Sequence, residues 1–143
     1  MSCLFCGIAS GEVEASVVHE GVHVMAFLDL YPLSTGHALV IPRRHVNDLT
    51  ALTPEERDEL FLVGQRVLAA QRSIGLGVEG ANLLLNDGSA ANQHVPHLHL
   101  HVVPRKRGDL FLAIFKFALR ALGPLGAAGR REKLDALAGE LRF

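Results

Sequence analysis

Apolar residues fall into two kinds of run along this chain, and the difference predicts its elements. Residues 22–29 (VHVMAFLD) alternate in part and read as a first strand, and residues 37–42 (HALVIP) read as a second, ended by its proline. Residues 81–86 (ANLLLN) and 97–103 (HLHLHVV) read as two more strands, the last stopped by Pro104. Between these pairs the period changes. From Thr53 onward Leu60, Phe61, Gly64, Val67, Leu68 and Gln71 share one face at helical spacing. Thr53-Pro54-Glu55-Glu56 supplies a capping threonine, a proline at the first helical position and a glutamate three residues on; Gly75 and Gly77 end the helix. Residues 110–122 and 130–142 read as C-terminal helical segments. The order strand–strand–helix–strand–strand–helix predicts an α+β domain with a mainly antiparallel sheet.

Composition narrows the classes. At 143 residues the chain reads as one domain, residues 1–143, with 49% hydrophobic residues to fill a core. The formal charge of −1 argues against coating a nucleic acid polymer. The most apolar stretch, 110–122, carries Lys116 and Arg120 and is too short and too charged to span a membrane. The first residues lack a basic start followed by an apolar run, so a cytoplasmic protein is expected. Gly75-Leu-Gly77-Val-Glu-Gly80 matches the dinucleotide fingerprint in letters only. That fingerprint needs a strand before it and a helix after it, and here the order is reversed.

The chemistry concentrates in His97-Leu98-His99-Leu100-His101. In a strand the three histidines share one face, and Leu98, Leu100 and Val102 share the other. One strand histidine is ordinarily a satisfied polar residue; three in strict alternation need another account. They could bind a metal: neighbours such as His97 and His99 could converge on one ion with bonds of about 2 Å, but all three could not easily do so, because His97 and His101 lie roughly 13 Å apart along a strand. They could instead divide phosphoryl chemistry, because imidazole is largely neutral and nucleophilic near pH 7 and a neighbouring imidazole can donate the proton. Geometry favours the second reading.

The pattern His-φ-His-φ-His-φ-φ, with φ apolar, resembles the signature of the histidine triad (HIT) superfamily. Cys3-Leu-Phe-Cys-Gly-Ile, Ala26-Phe-Leu-Asp-Leu, Gly36-His-Ala-Leu-Val-Ile-Pro-Arg-Arg-His and Asn86-Asp-Gly follow in the family's order and spacing. The resemblance runs from Cys3 to about Asp109. It implies a HIT-like fold: a five-stranded, mainly antiparallel sheet with one long helix and C-terminal helical segments. It also implies a nucleotide hydrolase or transferase acting at the α-phosphate of a purine nucleotide derivative, with His99 as nucleophile of a covalent nucleotidyl-histidine. His101 and His37 would serve the phosphate and leaving group. Leu4, Phe5, Ile8, Phe27 and Leu28 would form the base pocket, Asp29 would bind the ribose hydroxyls, and Asn86 and Gln93 would contact phosphate or ribose oxygens. His94 stands where relatives often carry a serine or threonine that hydrogen-bonds the phosphate or leaving group. Without the resemblance the apolar set reads as ordinary core and Asp29 as a turn residue.

Cys3-x-x-Cys6 alone is compatible with zinc, redox chemistry or neither, although a redox pair normally opens a helix after a strand and position 3 leaves no room for one. The resemblance implies structural zinc held by Cys3, Cys6, His45 and His97, with no catalytic metal. It also implies a homodimer, with the helix from Thr53 and an adjacent strand as candidate interface. The segment 110–122 would join that interface or the core. Two rival classes remain: a metal-dependent hydrolase built on the histidine strand, and a nucleotide-binding or scaffold protein without turnover. Adenosine phosphoramidates, adenylylated amines and dinucleoside polyphosphates all fit the implied site.

Overall fold

The computed structural model describes residues 3–119 and 129–143. In chain order the elements are α1 (Leu4–Ser10), β1 (Val17–Glu20), β2 (Val24–Leu28), β3 (Ala38–Pro42), α2 (Pro54–Ser73), β4 (Gly80–Leu85), β5 (Leu100–Arg105), α3 (Leu110–Leu119) and α4 (Arg130–Leu141). The strands form one antiparallel sheet in the order β1-β2-β3-β5-β4. This is the expected α+β architecture. No helix among the described residues is long and apolar enough to cross a membrane.

Every residue of β2 and β3 is buried, because both faces of the sheet centre are covered. Period-two alternation sorts their side chains. Val24, Ala26, Leu28, Ala38 and Val40 join Leu60, Val63 and Val67 of α2, with Leu134, Ala138 and Leu141 of α4. Met25, Phe27, Leu39 and Ile41 face the other way and pack on Phe5 and Ile8 of α1. The second, smaller cluster floors the functional site.

The long helix starts as its sequence predicts. Thr53 accepts from the Glu56 N–H, and the Glu56 carboxylate accepts from the Thr53 N–H, completing a capping box with Pro54 at the first position. Arg44 donates to both oxygens of that carboxylate, at 2.8 and 2.7 Å, and its guanidinium draws Glu56 down to about 2. The folded protein binds this proton less readily than the unfolded chain. The resulting stability is therefore full above about pH 4.3 and is lost as pH falls towards 2. Thr53→Ala should cost about 1 kcal/mol, and Glu56→Gln should flatten acid denaturation between pH 4 and 2; chemical denaturation at several pH values measures both.

Several details differ from the sequence expectations. The buried face of α2 uses Val63, whereas Phe61 is exposed. Gly64 lets this helix approach β5: a Cβ there would lie 2.8 Å from Leu100 Cδ2. The first predicted strand, residues 22–29, forms as β2, and β1 precedes it across a turn as a strand the sequence did not signal. The last predicted strand begins at Leu100 rather than His97 and passes through Pro104. β3 pairs with β5 only as far as Val102, so at Pro104 the strand is paired with β4 alone. A residue without an N–H is tolerated where one side is unpaired. Leu110, Phe111, Leu112, Ile114 and Phe115 of α3 are exposed, so this part of segment 110–122 is not core; residues 120–122 lie outside the described residues.

Candidate active site

The three histidines of the motif are divided between two sites by the start of β5. His97 and His99 precede the strand on extended chain, tied by the Leu98 N–H to Val46 O at 2.7 Å. His101 lies within the strand opposite Leu39. The apolar partners Leu98, Leu100 and Val102 are buried, as the alternation predicts.

His37 is set by Gly36, whose positive φ of 83° turns the chain into β3. Gln71 of α2 donates to Gly36 O at 2.9 Å and to Val102 O at 3.3 Å, which ties the helix to both histidine-bearing strands. His37 is completely buried, and His99 nearly so.

The hydrogen bonds fix the tautomers. His99 Nδ1 lies 2.7 Å from His97 O, and a carbonyl can only accept, so Nδ1 carries the proton and Nε2 keeps its lone pair. The Leu33 N–H donates to His37 Nδ1 at 3.1 Å. His37 Nε2 must then carry the proton, which it donates to His101 Nδ1 at 3.0 Å. That leaves the His101 proton on Nε2. The Asp29 carboxylate approaches His37 Nδ1 at 3.5 Å, but Leu33 already occupies that lone pair. The other Asp29 oxygen accepts from the Tyr31 N–H at 2.9 Å.

His99 and His101 stand side by side, with ring centroids 4.8 Å apart, and both line a cavity of about 680 Å³. Leu4, Phe5, Ile8, Phe27, Leu28, Asp29, Asn86 and His94 line it too, as does Tyr31, which the sequence did not single out. His37 lies behind His101. Gln93 is placed elsewhere: its amide oxygen accepts from the Gly88 N–H and its nitrogen donates to Asn47 O, bracing the loop that carries His94. A second hollow of about 580 Å³, between β1 and α4, contains no histidine of the motif.

His97 points away from this cavity. Its Nδ1 lies 3.5 Å from Cys3 Sγ and 3.6 Å from Cys6 Sγ, and His45 Nδ1 lies 3.2 Å from Cys6 Sγ. A tetrahedral zinc ion with ordinary bond lengths separates its sulfur and nitrogen ligands by about 3.6 Å. The four side chains therefore fit such an ion in donor type and spacing, and their ligand atoms all lie within 4.8 Å of one another. The Cys6 thiol is pushed up by burial and then by the hydrogen bond and charge of Cys3, the strain a cation between them would relieve. Burial also pushes His97 down, keeping it in the neutral form that can act as a ligand. Its Nε2 donates to Pro42 O at 2.9 Å, which leaves Nδ1 facing the cysteines. Asp29, His37 and His101 form another group of possible ligands, but there the imidazole nitrogens are engaged with one another and with Leu33.

A compact antiparallel sheet that presents a tautomer-fixed imidazole pair to an apolar cleft, beside a two-cysteine, two-histidine cluster, defines a class of protein. Comparison gives that class its name. The HIT domain model matches residues 10–108, and the chain belongs to the histidine triad family. An uncharacterized HIT-like protein of Mycobacterium tuberculosis is 39% identical over 130 residues, covering 91% of this chain and 90% of that one. The adenosine 5′-monophosphoramidase of Schizosaccharomyces pombe is 35% identical, over 80% of this chain and 82% of its own. Among solved structures, a zinc-bound histidine triad family protein from Mycobacterium smegmatis superimposes with a TM-score of 0.73 at 37% identity, covering 99% of this chain and 96% of that one.

Proposed function

We propose that this chain is a nucleotide hydrolase or transferase that acts at the α-phosphate of a purine nucleotide derivative through a nucleotidyl-histidine on His99. The observation that carries this reading is the protonation pattern. The His99 Nε2 lone pair and the His101 Nε2 proton belong to neighbouring rings on one cavity wall. In the first step His99 Nε2 attacks the α-phosphorus, a P–N bond forms, and the bond to the leaving group breaks as that group takes the His101 Nε2 proton; the His37–His101 pair enters this step carrying one extra proton taken from solvent and leaves it neutral. In the second step water attacks phosphorus, the P–N bond breaks, and the water's proton passes to the neutral His37–His101 pair, restoring its charge. Splitting one displacement into two gives each a better nucleophile or leaving group. Asp29 supports the positive charge that the His37–His101 pair carries before it gives up its proton, and Asn86 and His94 supply hydrogen bonds to phosphate oxygens.

The base lies in this reading among Phe5, Ile8, Phe27 and Leu28, whose aromatic and aliphatic faces suit a purine. Asp29 accepts from the ribose hydroxyls. Asp29→Ala should weaken AMP binding by roughly 1–3 kcal/mol. Because Asp29 also holds the Tyr31 N–H, calorimetric titration should include 2′,3′-dideoxy-AMP. An equal loss for both ligands would assign Asp29 to the loop and not to the ribose.

Zinc at Cys3, Cys6, His45 and His97 would act structurally, joining the N-terminus to the approaches of α2 and β5. The chain works in this reading as a homodimer. Support comes from exposed Phe61 and Leu62 on α2, Leu83 and Leu84 on the free-edge strand β4, and the apolar surface of α3. The mechanism is tested by intact-protein mass spectrometry after brief mixing with adenosine phosphoramidate or a dinucleoside triphosphate. An AMP-sized adduct present in wild type and absent in His99→Ala supports it. No adduct and no AMP released from either compound overturns it.

A further inference from the structure

Part of the cavity wall comes from beyond the C-terminal end of the matched HIT segment. That segment ends at residue 108, yet Arg131 of α4 lines the same space as Asp29, His99 and His101. Among the described lining residues it is the one side chain that is cationic at any physiological pH. The others are apolar, phenolic, amide, imidazole or carboxylate groups.

Its position is anchored on both sides. Ser16 Oγ donates to Asp135 Oδ1 at 2.5 Å, one turn further along α4. Arg130 donates to Leu30 O at 3.1 Å, and its guanidinium carbon lies 5.4 Å from the Tyr31 ring centroid. Leu134, Ala138 and Leu141 bury the opposite side of the helix in the main core. The first turn of α4 is thereby fixed beside Ser16, whose main-chain oxygen accepts from the Leu28 N–H at 2.9 Å, and beside residues 30–31, so that both anchors adjoin the stretch that carries Asp29. This is the ribose end of the cavity in the reading above, on which the following inference rests.

Arg131 is half-buried, and none of the ion pairs or hydrogen bonds among the described residues engages it. A guanidinium partly removed from water in a cleft has lost solvation that a ligand anion can restore. Its planar fork matches a phosphate with two parallel hydrogen bonds. We infer that Arg131 makes the pocket selective for nucleotides that carry a second phosphate on the ribose, at the 2′ or 3′ oxygen. The hydroxyl left free binds Asp29, and the esterified one faces Arg131, whose charge offsets the repulsion between that phosphate and the Asp29 carboxylate.

Calorimetric titration of the full chain with AMP, ADP, adenosine 2′,5′-bisphosphate and adenosine 3′,5′-bisphosphate tests this. The wild type should bind at least one bisphosphate about tenfold or more tightly than AMP, the scale of a charge-assisted hydrogen bond. Arg131→Gln should bring that ratio near one. Arg131→Lys, which keeps the charge but not the fork, should retain part of it, and thermal melts show whether each variant is folded. A wild type that binds AMP without preferring either bisphosphate overturns the inference and leaves the nucleotide reading intact. A preference unchanged in Arg131→Gln also overturns it, as does one confined to ADP, which would put the anion at the opposite end. If AMP itself does not bind, the nucleotide reading falls, and this inference falls with it.

Discussion

Replacing His99 by alanine is expected to lower nucleotide turnover by about four orders of magnitude or more, the scale of losing a nucleophile that works as one unit with its neighbours. AMP affinity should stay within about tenfold of wild type, because the proposed base and ribose contacts come from β2, α1 and Asp29 and not from this ring. The split between the two effects is the informative part. A general structural defect would lower both together. His99 packs edge-on against Phe5, with centroids 5.2 Å apart, so some loosening of the base pocket is built into the tenfold allowance. Single-turnover kinetics with adenosine phosphoramidate, beside calorimetry with AMP, measures the pair. Full turnover in the variant would remove His99 from the chemistry and favour a site built on His37 and His101.

The same reasoning gives His101→Ala a different signature. In the proposed mechanism its Nε2 proton goes to the leaving group, so its removal should hurt poor leaving groups most. His99 would still be able to attack. Substrates whose leaving group needs no proton should keep most of their rate in that variant.

What the sequence revealed and what it hid follow from the range of each signal. The capping box at Thr53 to Glu56 is local, four residues long, and forms as read. The histidine alternation survives even though His97 and His99 lie outside the ladder. Extended backbone alternates its side chains whether or not a neighbouring strand pairs with it. The strand boundary was misplaced for that reason: residue types report extension, and pairing depends on where β3 ends. β1 and α1 escaped because four and seven residues are too few to show a period, and β1 carries an irregularity between Val17 and His19. Gln93 looked available as a ligand group because nothing local shows that Asn47, 46 residues earlier, would take its amide. Arg131 carries no motif at all. The docking of α4, through the bond between Ser16 and Asp135, 119 residues apart, and through its buried apolar side, brings it to the cavity.

Cys3→Ser is expected to lower the thermal midpoint by roughly 10 °C or more, on the scale of about 2–4 °C per kcal/mol for a chain of this size, and zinc content should fall with it. Cys3, Cys6, His45 and His97 come from the N-terminus, the segment after β3 and the approach to β5, so the cluster closes long loops at one point. The effect should reach His99, the proposed nucleophile, by two routes. His97 is both a member of the cluster and the residue whose main-chain oxygen holds the His99 Nδ1 proton. Phe5, between the two cysteines, sets its edge against His97 and His99, at centroid distances of 5.8 and 5.2 Å. Loosening the cluster frees the carbonyl and the ring together, and His99 then divides between its two tautomers. Nitrogen chemical shifts of the histidine side chains should show a single Nδ1–H form of His99 in the wild type and an average of both forms in Cys3→Ser or after chelation. Added zinc should restore the chelated wild type and not the variant. A variant with full zinc content and an unchanged midpoint would take Cys3 out of the ligand set. A variant that loses zinc while His99 keeps one tautomer would separate the metal cluster from the nucleophile and leave it a purely structural role.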